Sequence, residues 1–391
     1  MKYHAAIKGL GHLVLALVVI TTMAACSSNK KKALKPVELE SFKAEIKIDK
    51  VWSRSIGDGL GKYFHQFALA VDSSFIYAAS ADGKVYQLDK YSGKVRWKVS
   101  LDTQLTTGVA IDRRYAYVAA ADGTVIALDK LSGEQKWTST VDREVVNAPV
   151  SNGDALFFQT SSGEMYSLAT SDGSQRWREP SVMPALSLRG NSRPVLFGDF
   201  VVFGQANGRL SMLDAQTGAL RWEPRVATAK GESEIERMVD IDGTPLLIEE
   251  RLYAASYQGQ LAAFNLATGQ TFWSVEESSY RDLAGGLGNI YISSSNAAVN
   301  AYDQRNGDVK WSQEGLLRRK ITAPATISSY IVVADYKGYI HLLSQIDGRF
   351  IARTRLNSKG IKTGILVDAD RFYVIANNGR LKAYQLGKSL K

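Results

Sequence analysis

One motif recurs eight times along this chain. Aligned on one small residue, the copies run ADGKVYQLDKYSGKVRW (81–97), ADGTVIALDKLSGEQKW (121–137), SSGEMYSLATSDGSQRW (161–177), ANGRLSMLDAQTGALRW (206–222), YQGQLAAFNLATGQTFW (257–273), SNAAVNAYDQRNGDVKW (295–311), YKGYIHLLSQIDGRFIA (336–352) and NNGRLKAYQLGKSLK (377–391). Their anchors are Gly83, Gly123, Gly163, Gly208, Gly259, Ala297, Gly338 and Gly379, which makes the successive intervals 40, 40, 45, 51, 38, 41 and 41 residues. Intervals of this size are the length of a four-stranded propeller blade. An aromatic or β-branched run precedes the anchors, as in FIYAAS (75–80), YAYVAA (115–120) and FYVIAN (372–377), and helical periodicity is absent. The anchor glycine suits a tight turn with positive φ, and a second glycine at 93, 133, 173, 218, 269, 307 and 348 closes the next hairpin. Each copy therefore reads as an antiparallel meander of four strands. A lone meander cannot bury both faces, so the expected fold is all-β: an eight-bladed β-propeller of four-stranded blades around one axis.

The seven tryptophans belong to one register of this repeat. Trp97, Trp137, Trp177, Trp222, Trp273 and Trp311 each lie 14 residues after their anchor. Trp52 stands before the first blade, and the eighth copy ends short of its own tryptophan position. Residues 50–56 are therefore expected to pair with 380–386, closing the ring and covering an open edge. One large aromatic per blade at constant offset fits docking between blades, each burying on the order of 200 Å², better than a cofactor or sugar stack. Ala352 takes the tryptophan position of the seventh copy and Ala297 the anchor of the sixth, so those blades are expected to pack or turn differently.

Composition narrows the function classes. Of 391 residues, 45% are hydrophobic and 22% charged, as in ordinary globular chains. A single cysteine, Cys26, excludes an internal disulfide framework and any cysteine-based zinc or iron–sulfur site. His4 and His12 fall within residues 1–25, which read as a cleaved leader, and this leaves only His65 and His341 for acid–base or metal chemistry. The formal charge of +9 is dispersed, and its one dense run, Lys30-Lys31-Lys32, reads as a solvated linker, so no nucleic-acid partner is assigned. Gly57-Asp58-Gly59-Leu60-Gly61-Lys62 lacks phosphate-loop spacing, and Asp240-Ile241-Asp242-Gly243 lacks the later ligands of a calcium loop. Neither a nucleophile elbow nor an HExxH motif occurs. No catalytic residue, metal or cofactor is assigned.

Residues 1–25 carry Lys2 and Lys8, an apolar core from Leu13 to Ile20, and Ala24-Ala25 directly before Cys26, the layout of an export signal too short to span a bilayer. The box around Cys26 resembles a bacterial lipoprotein cleavage site, which implies a lipid-modified Cys26, and Ser27 after it implies delivery to the outer membrane. Several acyl chains anchor a protein stably where one does not. The expected organisation is a signal peptide over 1–25, a lipidated cysteine and flexible tether over 26–49, and the propeller over 50–391.

The repeat resembles that of pyrroloquinoline-quinone dehydrogenases, whose longer chains carry an adjacent cysteine pair, a Ca²⁺ site and a catalytic aspartate. A second cysteine is missing here. Together with the lipoprotein box, spacing and blade count, the segments MPALSLRG (183–190) and EIERMVDIDGTP (234–245) resemble the BamB-type lipoproteins of the outer-membrane β-barrel assembly machinery. That resemblance implies a non-enzymatic scaffold facing the periplasm that docks on the POTRA domains of the barrel-assembly protein through Leu186, Leu188, Arg189, Asp240 and Asp242, with unfolded outer-membrane proteins as further partners. Capture of extended strands by edge augmentation is a compatible variant. The reading from another class is a degenerate quinoprotein oxidoreductase holding its quinone near the central channel.

Spacing alone points to the same loops. The residues added in the two longest intervals fall at about 178–192 and 223–243, each between the outer strand of one blade and the inner strand of the next, hence side by side on one face. Leu186 and Leu188 at i and i+2 suit one side of an extended segment, and an arginine beside them can make bidentate contacts. Each also has an internal reading: the leucines as plugs of the cleft between blades, Arg189 as partner of Asp240 or Asp242. Glu234, Glu236 and Arg237 read as a solvated loop face.

Overall fold

The computed structural model describes residues 34–61, 67–188 and 192–390. Cys26, His65, the lysine run and Arg189 lie outside the described residues. The propeller unit begins at Pro36. It contains eight four-stranded sheets, each an antiparallel meander, arranged in a ring. Blade 1 comprises Ala70–Val71, Phe75–Ala79, Lys84–Asp89 and Val95–Ser100. Blade 8 comprises Leu366–Asp368, Arg371–Ile375 and Arg380–Ser389, completed by Ile46–Ser55 from the other end of the chain. The two middle strands of blades 1 to 7 are almost wholly buried, as in FIYAA (75–79) and KVYQLD (84–89), because both of their faces meet neighbouring blades. Outer strands alternate, with Trp97 buried between exposed Arg96 and Lys98.

Blade-to-blade docking follows one rule. Each indole Nε1 donates to a backbone carbonyl of the next blade at 2.9 to 3.2 Å: Trp52 to Lys90, Trp97 to Lys130, Trp137 to Thr170, Trp177 to Ala215, Trp222 to Leu266, Trp273 to Gln304 and Trp311 to Gln345. Every acceptor stands seven residues past its anchor. The second glycine of that next copy lies under the ring: a Cβ at Gly93, Gly133, Gly173, Gly218, Gly269, Gly307 or Gly348 would sit within 3.1 Å of the indole. These glycines are thus required twice, for positive φ and for the space the indole fills.

Ring closure keeps this register. Trp52 pairs with Ala383, four residues past Gly379, as Trp137 pairs with Ala127 four past Gly123. The closing strand is longer than 50–56, starting at Ile46 opposite Ser389. Ring closure explains Ala352. An indole there would need a hairpin glycine in blade 8, but blade 8 has no hairpin at that point, since its third strand runs on to Ser389 and its outer strand comes from the N-terminal side. The small Ala352 is instead buried in the core cluster that contains Ile46, Ile351 and Tyr384.

The turn expectation for Ala297 needs correction. Ala297 adopts φ +72°, and its amide bonds the Ser294 carbonyl just as Gly123 bonds Ala120. The sixth turn therefore matches the others, with a strained residue whose neighbour Ala298 is held by Ser294 Oγ and Asn296 Oδ1. The turn that differs is the fifth, where Gln258 rather than Gly259 takes the positive φ.

The tether boundary also needs correction. Residues 36–45, expected to be part of a flexible tether, form a strap along blades 6 and 7. Val37 N donates to the Leu317 carbonyl (3.1 Å), Glu45 N to Ile351 (2.9 Å), and Leu390 N to Glu45 (2.7 Å). Phe42 stacks on Phe350 with centroids 5.5 Å apart, and Leu39 packs against the core of blades 6 and 7. Beneath the strap lies a buried ionic cluster. Arg319, 2% exposed, bonds Asp335 (Nε–Oδ2 2.7 Å) and reaches the Val37 carbonyl with Nη1 (3.0 Å). Arg353 donates through Nε to His341 Nδ1 (3.1 Å) and through Nη1 to the Glu40 carbonyl (2.8 Å). Burial pushes the His341 pKa down, so its ring is neutral; with Nδ1 accepting, Nε2–H faces Asp335 at 3.4 Å. Lysine-rich composition concealed the strap, although Val37/Leu39 and Ile46/Ile48 show strand alternation.

The docking rule is tested by a double-mutant cycle in urea. Trp137→Ala is expected to cost about 3–5 kcal/mol. Gly173→Ala is expected to cost about 2–4 kcal/mol through left-handed strain and overpacking. Removing the indole relieves the overpacking, so the double variant should fall short of the sum by about 1 kcal/mol or more. Additive losses would refute the contact.

Candidate partner-binding site

The two elaborated loops occupy one face of the ring. The first joins Gln175–Glu179 of blade 3 to Val195–Phe197 of blade 4; the second joins Leu220–Trp222 of blade 4 to Leu246–Ile248 of blade 5. Among the described residues they meet through two hydrogen bonds: Leu188 N to Asp240 Oδ1 (2.8 Å) and Ser192 Oγ to the Gly243 carbonyl (3.1 Å). The second loop is itself seated by Val239 and Ile241, both buried, and by backbone bonds from Ile241 N to Gln205 O and Tyr257 N to Asp240 O. Gly204 makes room for this, since a Cβ there would collide with the Ile241 side chain.

The expected contact residues divide by depth. Leu186 is 39% exposed and Leu188 is half-buried, while Arg189 lies outside the described residues. Asp240 is completely buried, and its bond to Leu188 N places it behind the first loop, in a position to hold that loop rather than to meet a partner directly. Burial pushes its pKa up, against the effect of the Leu188 bond. Asp242 is half-buried, and its Oδ1 has no hydrogen-bond partner among the described residues. Burial, with the neighbouring Asp240 charge as a second cause, raises its pKa to about 8. A carboxyl group in that state is mostly protonated at neutral pH.

Residues 232–237 form an exposed turn closed on itself. The Glu236 carboxylate accepts from Glu232 N (3.0 Å) and Ser233 N (3.1 Å), and Ser233 Oγ accepts from Glu236 N (3.3 Å). These bonds hold the Glu236 pKa below the usual carboxylate range. Gln258 Nε2 donates to the Ile235 carbonyl (2.8 Å), which fixes the turn against blade 5. Ile235 itself is 65% exposed. It and the exposed Val182 were passed over in the sequence, where the available signal was an apolar residue inside a polar loop. Among the described residues, no three His, Cys, Asp or Glu side chains cluster to hold a metal ion.

Ring and repeat place the chain in the class of PQQ-like-repeat β-propellers. Its sequence matches the family described as "Outer membrane protein assembly factor BamB" over residues 49–140 and 81–313. The BamB of Pseudomonas aeruginosa is 51% identical over 374 residues, covering 96% of this chain and 97% of its own. That of Yersinia pestis is 32% identical over 386 residues, covering 95% and 98%. The crystal structure of BamB from Moraxella catarrhalis superposes with a TM-score of 0.80 at 31% identity, covering 86% of this chain and 99% of that one. This chain belongs to the BamB family. A quinohemoprotein alcohol dehydrogenase from Comamonas testosteroni, at 12% identity and a TM-score of 0.68 over 87% of this chain and 76% of its own, shares the fold alone.

Two outcomes check this site. Asp240→Ala should leave the far-ultraviolet β spectrum intact while hydrogen exchange at the Leu188 amide accelerates by at least about tenfold; unchanged protection would remove Asp240 from the role of loop holder. Asp242 binds its proton more tightly folded (about 8) than unfolded (about 3.9), so its contribution to stability is complete below about pH 4 and is lost as pH rises through about 8. The slope is at most about 1.4 kcal/mol per pH unit. In urea titrations, Asp242→Asn should therefore gain on wild type between pH 5.5 and pH 8.5.

Proposed function

We propose that this chain is a non-enzymatic scaffold subunit of the machinery that assembles outer-membrane β-barrel proteins. A lipid on Cys26 holds it at the outer membrane, facing the periplasm, and the elaborated loops dock on the POTRA domains of the barrel-assembly protein. Membership of a family named for outer membrane protein assembly supports the role. The hydrogen bond between Leu188 and Asp240 is the observation that carries the site. It joins the two segments that resemble the family's docking motifs, 52 residues apart in sequence, into one surface.

In this reading each residue has a separate task. Leu186 supplies an exposed apolar anchor, Leu188 fixes the depth of the loop, and Arg189 makes charge-assisted bonds to the partner. Asp240 acts through Leu188 as a positioning residue, and Asp242 supplies a protonated carboxyl beneath the loop. Unfolded outer-membrane proteins are clients of the whole assembly. A quinone-dependent reaction has no support in the residues: the family that performs it uses an adjacent cysteine pair, and this chain has one cysteine.

Calorimetric titration of residues 27–391 with purified POTRA domains tests the proposal. Wild type is expected to bind saturably, and Leu188→Asp or Arg189→Glu to weaken Kd at least about tenfold, or 1.4 kcal/mol, with an unchanged β spectrum. Wild-type binding that both variants retain would discard this surface. No binding by wild type would discard the docking role.

A further inference from the structure

The strap determines where the propeller meets the rest of the chain. Its first fixed residues, Pro36 and Val37, lie beside Leu317 in the loop between blades 6 and 7. That loop joins an outer to an inner strand, so it lies on the same face as the elaborated loops. Pro36 lies ten positions after Cys26, a span of at most about 36 Å when fully extended. Fixing of the strap by Arg319 and Arg353 therefore makes the tether shorter than one running to residue 49.

Charge on this face is unevenly distributed. Four segments follow one another from the end of the strap across blades 7 and 8: residues 318–322, 336–339, 355–363 and 376–382. They contain nine Lys and Arg; the carboxylates beside them are Glu38 and Glu40 of the strap, Glu314, and Asp335, which is buried against Arg319, so positive charge remains in excess. Lys320, Lys337, Arg355, Lys359 and Arg380 are exposed. None of these five forms an ion pair with a carboxylate among the described residues. Arg355 lies over the Tyr339 ring and donates to the Lys337 carbonyl, while Lys337 lies over Tyr336, so cations and half-buried aromatic rings alternate along the rim. The chain ahead of the strap continues the same sign with Lys30, Lys31, Lys32 and Lys35. The loop at 223–243 on the same face has the opposite bias, with five acids against three bases once the protonated Asp242 is set aside.

We propose that the basic rim of blades 7 and 8 rests on anionic lipid headgroups of the membrane that holds the anchor, and that the clamped strap keeps it there. This rests on the reading of Cys26 as lipidated. Basic groups near an anionic bilayer are attracted within about one Debye length, roughly 8 Å at physiological salt. A short tether ending at the edge of a basic sector brings that sector within reach of the membrane. The acidic loop at 223–243, far around the ring from blades 7 and 8, is repelled by the same surface and stays open to a protein partner.

The test uses the mature full-length protein on vesicles of equal parts phosphatidylglycerol and phosphatidylcholine, and on phosphatidylcholine alone. Energy transfer to a headgroup acceptor is read from a dye at Ser358→Cys, on the rim, or at Ser171→Cys, in a hairpin of the opposite face. Transfer from 358 should exceed that from 171 on the anionic vesicles. The contrast should fall at least about twofold with Lys320→Glu/Lys337→Glu/Lys359→Glu, and survive the corresponding three changes to Arg. Equal transfer from the two sites, or a contrast indifferent to the Glu triple, overturns the proposal and leaves the rim to an acidic protein instead. Flotation in 1 M salt reports the anchor separately: loss of binding there defeats the Cys26 reading, while salt-sensitive flotation at low ionic strength, abolished in the Glu triple, still upholds the rim.

Discussion

Seven of the eight junctions between blades are locked where an indole lies against a hairpin that has no Cβ to hold it off. The contact is composite. The ring buries a large apolar area, its N–H satisfies a carbonyl of the neighbouring blade, and the glycine beneath supplies both the left-handed backbone and the gap. Seven such contacts stand at one register. The eighth junction, between blades 7 and 8, lacks indole and glycine together. Both are absent for one reason: the outer strand of blade 8 arrives from the start of the chain, and no hairpin exists there to receive a ring.

That junction is stabilised by other means, and they shape the rest of the molecule. Ile46 fills space beside Ala352, the strand pairing runs from Ile46 to Ser55, and the strap before it lies over a cluster of Arg319, Asp335, His341 and Arg353. Burial opposes the charge on Asp335, but His341 and Arg319 outweigh it and hold the carboxyl below its ordinary range. Such a buried pair is a weak source of net stability, because desolvation offsets most of the attraction. Its geometry matters more. Two guanidinium groups present donors to the carbonyls of Val37 and Glu40, which specify the path of an otherwise featureless segment.

The loops of the candidate site depend on the same rigid ring. Blades 3, 4 and 5 set the distance between the two insertions, and the Asp240 carboxylate spans it to reach the Leu188 amide. Keeping two carboxyl groups under a loop is unfavourable when both are charged, which is why burial and mutual repulsion drive the Asp242 proton affinity upward. A loop held at that cost presents Leu186 in a defined place, as a recognition surface requires.

Much of this was legible in the residues, because repetition converts weak local signals into a strong global one. A four-strand period, a glycine at a turn and a tryptophan at constant offset each have modest weight alone; eight copies in register leave one architecture, and the displaced Trp52 reveals how it closes. The elaborated loops were legible too, as departures from the period. What the residues did not reveal depended on groups far apart in sequence. The strap is recognised by side chains some 280 to 313 positions away, such as Arg319 and Arg353, so local composition described it as linker. The turn at Ala297 keeps its glycine-like geometry because neighbouring side chains hold it, and Asp240 faces inward because Leu188 supplies its hydrogen bond. Periodicity determined the ring from sequence alone; burial and long-range hydrogen bonding, which exist only after the ring has formed, decided which residues of the strap and loops face inward.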